Sequence, residues 1–322
     1  MTIAVRPLRE DDTPEARRIL SLAFGTFIGL PDPTRFAHDQ DYVRTRWRAD
    51  PSAAFAAEDD GNLIGSAFAT RWGSVGFFGP ITVDVPYWDR GVAQKLLEPV
   101  MGCFERWGTR LDGLFTFAQS PKHVGLYSKF GFWPRALTAI LGKPVGAAAA
   151  PAGHKRGGVV ASELFSAESA GQKIGALDAA RGVADTVFAG LDLEQDIRAA
   201  DEQKLGDTVL VRDANGELEG FAVCQLGAET EAGGGICYVK FAAVKQTSGV
   251  RRRFDRLLDA VETFAAARGA QQMQVGMNMA RERAYRALRE RGYRVGFQGV
   301  AMHRPNDAGY SRSAIFAIDD WR

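Results

Sequence analysis

At 322 residues the chain is too long for the usual single domain and suits two of roughly 150 each. Its 46% hydrophobic and 25% charged residues are ordinary for a water-soluble globular protein and exclude a disordered or low-complexity chain. A formal net charge of +1 argues against nucleic acid or an anionic membrane as the dominant partner. The opening MTIAVRPLREDD has neither the apolar core nor the cleavage site of a signal peptide, and no run approaches the length of a membrane span. Cys103, Cys224 and Cys237 are odd in number and lack metal-ligand spacing, which points to a cytoplasmic protein with reduced thiols and no metal.

In chain order, residues 2–6 read as a strand. A helix comes next over 13–24, with Thr13 as cap before Pro14 and Ala16, Ile19, Leu20 and Phe24 on one side. Residues 25–51 read as irregular. They mix Phe27, Phe36, His38, Tyr42 and Trp47 with the turn formers Pro31, Asp32 and Pro33, and either roof a substrate site or pack on the sheet. Residues 54–57 and 63–72 predict a hairpin turning on Asp60-Gly61, and 81–85 a further strand. Val92, Leu96, Leu97, Val100, Met101, Phe104 and Trp107 recur at helical spacing, which places Cys103 among buried apolar residues. Pro99 lies inside that helix and predicts a kink. A strand over 114–118, a helix capped by Ser120 with Pro121 first and Gly131 last, and a strand over 133–141 complete the pattern. The fold class is α/β, with a mixed, largely antiparallel sheet flanked by helices.

Residues 143–158 are rich in Ala, Gly and Pro and read as a linker or surface crossover. Beyond them the second half repeats the first. Residues 209–225 mirror the hairpin at 54–72, turning on Gly216 as the first turns on Gly61. CYVKFAAV mirrors GPITVDV; Phe254, Leu257, Leu258, Val261 and Phe264 mark a helix, QMQVGMN a strand, and the last helix ends in Gly292-Tyr293 as the first copy ends in Gly131-Phe132. A repeat of this length is a duplicated domain. The division expected is 1–145, a linker over 146–158, and 159–322.

The chemistry concentrates in residues 79–132. Gly91 sits where a strand has ended and a helix begins, so DRGVAQ can present free backbone N–H groups to a pyrophosphate. Glycine permits close approach and Ala93 keeps the next turn clear. The Gly-Lys-Ser/Thr ending of a P-loop is absent, as are the three glycines of a dinucleotide fingerprint. The strand TVDV, the turn WDRGVA opening a helix, and LYSKFGF downstream together resemble the GNAT N-acetyltransferase superfamily. Gly91, Val92 and Ala93 match the second half of its Gln/Arg-x-x-Gly-x-Gly/Ala pattern. Trp88 stands at the Gln/Arg position with Arg90 nearby, and Ser120 replaces the asparagine that often opens the later helix.

The resemblance implies tandem GNAT-like domains and acetyl-CoA, or another acyl-CoA, as the donor. Its pyrophosphate would rest on the amides of Arg90, Gly91, Val92, Ala93 and Gln94, with Lys95, Lys122 and Lys129 as candidates for the phosphates and Ser120 beside the cofactor. Its pantetheine arm would run along Val83 to Val85, with a backbone N–H there polarising the thioester. Tyr127 is the expected catalytic acid, since a phenol is protonated at neutral pH and can donate to the departing thiolate. Asp84 is the expected base, though a strand-end aspartate is as readily a solvated one; His38 and His123 are the other candidates. In the second copy the turn KQTSGVRRRF carries arginines where small residues are needed, and Leu288 occupies the position of Tyr127. That copy is expected to be a degenerate, structural domain.

The activity implied is transfer of an acetyl group to a primary amine of a small-molecule or peptide acceptor by direct attack. The alternative is a non-catalytic acyl-CoA-binding or regulatory protein, motivated by Trp88, Ser120 and Pro99. The sequence leaves a homo-oligomer open.

Overall fold

The computed structural model describes residues 3–146 and 162–322, so most of the expected linker lies outside the described residues. The first half runs β1 (Ile3–Pro7), α1 (Thr13–Phe27), α2 (Tyr42–Ala49), β2 (Ala54–Asp59), β3 (Asn62–Trp72), β4 (Val75–Val83), α3 (Val92–Trp107), β5 (Leu111–Thr116), α4 (Pro121–Ser128) and β6 (Trp133–Pro144). The second half runs β7 (Ser162–Leu164), α5 (Ala170–Val187), α6 (Glu194–Glu202), β8 (Gly206–Arg212), β9 (Leu218–Gly227), β10 (Gly233–Val244), α7 (Val250–Ala267), β11 (Gln272–Asn278), α8 (Glu282–Glu290), β12 (Arg294–Arg304) and β13 (Ala317–Ile318). From β2 to β6 and from β8 to β12 the order of strands and helices is the same. The mixed, largely antiparallel α/β fold read from the sequence is the fold found.

Local chemistry explains most of these elements. Asp60 and Gly61 both have positive φ and turn the β2–β3 hairpin tightly. In α3 a stripe of Val92, Leu96, Leu97, Val100, Cys103 and Phe104 is buried against the sheet, and the helix continues through Pro99. The Ser120 side chain accepts from the His123 N–H and starts α4 with Pro121 at its first position.

Two segments depart from the sequence reading. Within the stretch expected to be irregular, Tyr42–Ala49 is helical: the Asp41 side chain caps it by accepting from Arg44 N at 2.8 Å. Its buried face includes Val43, Thr45 and Arg46, and the charge of Arg46 finds its partner only in the other half, so no apolar period announces the helix. The strand expected over 81–85 is instead the longer β4, which ends at Val83. Asp84 then accepts a hydrogen bond from Val85 N and caps a short 3-10 turn, Val85–Tyr87, whose Pro86 cannot donate to a sheet ladder.

The halves share one continuous sheet. Its order is β1-β2-β3-β4-β5-β12-β6-β11-β10-β9-β8-β7, with β13 added beside β10. The last long strand of each half therefore lies in the territory of the other: β12 pairs with β5, and β6 pairs with β11, while β6 and β12 pair with each other.

The two parallel pairs, β4–β5 and β10–β11, define equivalent clefts. Strand β4 meets β5 only from Val75↔Leu111 to Phe77↔Gly113, after which the strands part. Likewise β10 and β11 pair from Ile236↔Gln272 to Val239↔Val275 and then part. The second opening is filled from within, because β13 pairs there with β10 (Ala242↔Ile318, Ala243↔Ala317) and Asp319 bridges to Met277 of β11. This plug is anchored by the Gln246 side chain, which donates to the Phe316 carbonyl and accepts from the Phe316 N–H, both at 3.0 Å. A buried bidentate pair between Arg281 and Asp319, at 2.8 and 3.0 Å, fixes its other end. The chain then carries Trp321 across β5, where a Cβ at Gly113 would lie 2.1 Å from the indole ring; only glycine admits that approach.

A buried ionic cluster joins the halves. The Arg46 guanidinium donates to both carboxylate oxygens of Glu231 at 2.9 and 3.1 Å, and also to the Gly79 and Arg322 carbonyls. Lys240 Nζ lies 2.9 Å from Glu231 and 3.2 Å from Asp196, which accepts from the Trp72 indole. Burial pushes the Glu231 carboxyl up, but Arg46 and Lys240 outweigh it and hold the group down to about 2.

Candidate active site

Where β4 and β5 part, a cavity of about 570 Å³ opens between α1, the end of β4, the N-terminus of α3, and α4. Its floor on the α3 side is built by the turn after β4. Asp89 and Gly91 have φ of 62° and 77°, left-handed values that bend the turn around Arg90 into a concave run of backbone N–H groups. Gly91 is the N-cap of α3, and the first helical bond is Lys95 N–H to the Gly91 carbonyl at 3.3 Å. The N–H groups of Val92, Ala93 and Gln94 therefore precede the helical ladder and face the end of its dipole that favours an anion. Any residue but glycine would be strained at that φ.

Of the residues expected at the site, Val83, Gly91, Val92, Ala93, Gln94 and Tyr127 line this one cavity, together with Lys122, His123 and Lys129. The others lie apart from its lining. Arg90 stacks its guanidinium over the Tyr87 ring at 5.5 Å, and Lys95 Nζ donates to the Ile3 carbonyl at 3.0 Å. Val85 sits in the 3-10 turn. Asp84 faces Arg18, at 3.7 Å, and His38 is exposed beside Asp39. Trp88, by contrast, also lines the cavity and donates its indole N–H to the Val83 carbonyl at 2.8 Å, so at the Gln/Arg position a tryptophan braces the end of β4.

Tyr127 is buried, its ring edge-on to Phe78 at 5.4 Å. Burial pushes the phenol well above its ordinary value, so it stays protonated across any working pH. His123, one turn earlier on α4, lines the same cavity. Burial, reinforced by neighbouring Lys122, lowers its pKa, leaving the imidazole neutral at pH 7. Ser120 Oγ lies 2.6 Å from His123 Nδ1; in the tautomer with Nδ1–H donating to that oxygen, Nε2 keeps a lone pair. Ser120 thus acts as helix cap and as a clamp on the ring.

The remaining wall is aromatic. Phe27 lies 4.6 Å from Phe117 and 4.7 Å from His123, and Phe24, stacked on Phe36 at 5.2 Å, lies 6.0 Å from Phe117. Sequence reading singled out Phe27 and Phe36 without separating roof from packing; Phe27 faces the cavity and Phe36 supports it from behind. Phe117 was not legible as a wall residue, because it comes after β5 in a strand-like pattern that gives no sign of the parting ahead.

Elsewhere the described residues hold little reactive chemistry. In an open groove between Arg71, Trp107 and Arg181, Arg181 pairs with Asp178, Asp192 and Glu194 at 2.7 to 2.9 Å. Cys103 is buried in α3 with its thiol pushed up by burial, which removes it as a nucleophile. In the second half Leu288 is fully buried, and Arg251 and Arg253 pair with Asp255, Glu290 and Glu219. Among the described residues there is no group of three or more His, Cys, Asp or Glu able to hold a metal, and no helix is long and apolar enough to cross a membrane.

The start of α3, the free end of β4 and a buried, protonated tyrosine of α4 thus meet on one cavity. Residues 15–132 match the model of the Acetyltransferase (GNAT) family. The fold of the whole chain is shared with solved structures. A putative acetyltransferase from Pyrococcus horikoshii aligns over 99% of this chain and 95% of its own, with a TM-score of 0.68 and 14% identity. A GCN5-related N-acetyltransferase from Sphaerobacter thermophilus aligns over 94% and 95%, with a TM-score of 0.62 and 15% identity. A third, from Kribbella flavida, aligns over 97% of this chain and 74% of its own, with a TM-score of 0.52 and 14% identity. Comparison with curated proteins finds no sequence match.

Proposed function

We propose that the chain is an N-acetyltransferase that takes acetyl-CoA into the β4–β5 cleft and passes the acetyl group to a primary amine by direct attack. The observation that carries this reading is the convergence of the Gly91 cradle, the free end of β4 and Tyr127 on one cavity within the family-matched residues. Val92, Ala93 and Gln94 would hold the pyrophosphate, and the end of β4 near Val83 would orient the arm and its thioester. The amine nitrogen forms the new C–N bond as the C–S bond breaks; the electron pair leaves on sulfur, and Tyr127 donates the proton that converts thiolate to thiol. The proton lost by the amine passes to His123 Nε2, a role this geometry supports better than Asp84, which faces Arg18 outside the cavity lining. The second half, 159–322, serves as scaffold, its own cleft plugged by β13.

The test is acetyl-CoA-dependent thiol release, with the acetylated amine confirmed by mass. Because the folded-state pKa of His123 is depressed, the base form persists at neutral pH and is lost only below the ordinary imidazole value of about 6.5. kcat is expected to be flat from neutral pH upward and to fall with a midpoint below about 6.5. His123→Gln should lower the plateau and remove that fall. An unchanged acid limb in the variant assigns the titration, and the base role, elsewhere. Binding of acetyl-CoA without thiol release to any amine favours the alternative of a non-catalytic acyl-CoA-binding protein, for which the Trp88 substitution is the specific observation.

A further inference from the structure

We infer that the acceptor is a small arylalkylamine, a primary amine carried on an aromatic body with no second positive charge; this rests on the acyl-transfer reading above. Three observations of the cavity lead there. Its wall opposite the cradle is built of Phe24, Phe27 and Phe117 with the neutral His123 ring set edge-on to Phe27 at an interplanar angle of 80°, a geometry that receives another ring. Its charged lining is cationic. Lys122 and Lys129 line it, and the one carboxylate among the described lining residues, Asp89, is already paired to Lys122 at 2.5 Å.

A polyamine or an amino sugar carries several ammonium groups that need carboxylates, and this wall offers them none. The same surroundings favour an uncharged amine. Apolar burial and neighbouring lysines both lower an ammonium pKa, which is the change an attacking nitrogen requires. Size sets the third limit: about 570 Å³ must hold the pyrophosphate, arm and acyl end of the donor as well as the acceptor, which leaves space for a compact ring rather than a folded peptide. Next to this wall, Phe297 of β12 lies 6.0 Å from Phe117 and is 43% exposed.

Thiol release from acetyl-CoA by the intact chain is to be compared for phenethylamine, spermidine and a short peptide with an N-terminal phenylalanine. The expected result is kcat/KM for phenethylamine at least about tenfold above that of either other acceptor. Phe27→Leu should raise the KM for phenethylamine about tenfold while leaving the KM for acetyl-CoA unchanged. Equal or greater activity with spermidine or the peptide overturns the acceptor class and leaves acyl transfer standing. A Phe27→Leu variant that raises both KM values alike overturns the role of the aromatic wall. No release with any of the three overturns this inference, and binding of acetyl-CoA alone then separates its failure from that of the donor site.

Discussion

Tyr127→Phe is expected to reduce the single-turnover rate of acetyl transfer about 10²- to 10⁴-fold, the range that a positioned general acid contributes. The substitution removes one oxygen and leaves the ring packed on Phe78 and within the core of the first half. The stability cost is limited to that of one hydroxyl, at most about 0.5 to 1.5 kcal/mol. Affinity for acetyl-CoA should stay within a few-fold of the parent, because the cradle at Gly91 is untouched. A fall in kcat without a fall in donor binding separates lost proton donation from lost folding. Full single-turnover chemistry in the variant would remove Tyr127 from the mechanism while leaving the fold assignment intact.

Arg46→Ala is expected to destabilise the chain by about 3 to 5 kcal/mol, the usual cost of stripping one partner from a buried ion pair. For a chain of this size that lowers the thermal midpoint by on the order of 10 °C. The reason is local. Glu231 is fully buried and keeps its charge only because Arg46 and Lys240 surround it. Without Arg46 it retains one cationic partner, and the Gly79 and Arg322 carbonyls lose their shared donor. Since the folded-state pKa of Glu231 is depressed to about 2, its contribution is fully present above the unfolded value near 4.5 and is lost as pH falls through about 2. The parent and the Arg46→Ala chain should therefore converge in stability towards pH 2, as measured by thermal melts across that range. A destabilisation under about 1 kcal/mol at neutral pH would mean that the pair behaves like an exposed one and does not hold the halves together.

Arg46 also shows why part of the structure was hidden in the sequence. Signals that act over a few residues were readable: the Asp60-Gly61 turn, the Ser120 cap before Pro121, Gly91 at the opening of α3, and the apolar stripe of that helix all have short-range causes. They sufficed for the fold class and for the cleft region. Helix α2 was unreadable because one of its buried positions is an arginine whose partner is 185 residues away. The exchange of β6 and β12 across the halves was unreadable for a related reason. A strand's alternation reports that it has two faces, and says nothing about which of several strands it will lie beside.

The candidate site divides along the same line. Gly91 to Gln94 and Tyr127 arise from turn chemistry and the spacing of one helix, and they meet in the cavity. Asp84 falls within the strand expected over 81–85, but β4 stops at Val83, so its side chain caps a turn. His123 carries no sign of burial in the sequence; the approach of α1 gives it Phe27 as a neighbour, and burial lowers its pKa. The plug in the second cleft has no counterpart in the repeat pattern, since β13 lies beyond the last repeated strand.

That plug turns donor binding into a matter of counting. If the donor enters only the β4–β5 cleft, equilibrium dialysis of the intact chain against labelled acetyl-CoA should saturate at one equivalent per chain. Two equivalents would contradict the closure of the second cleft by residues 317–319. No bound acetyl-CoA at millimolar concentration would contradict the donor site itself.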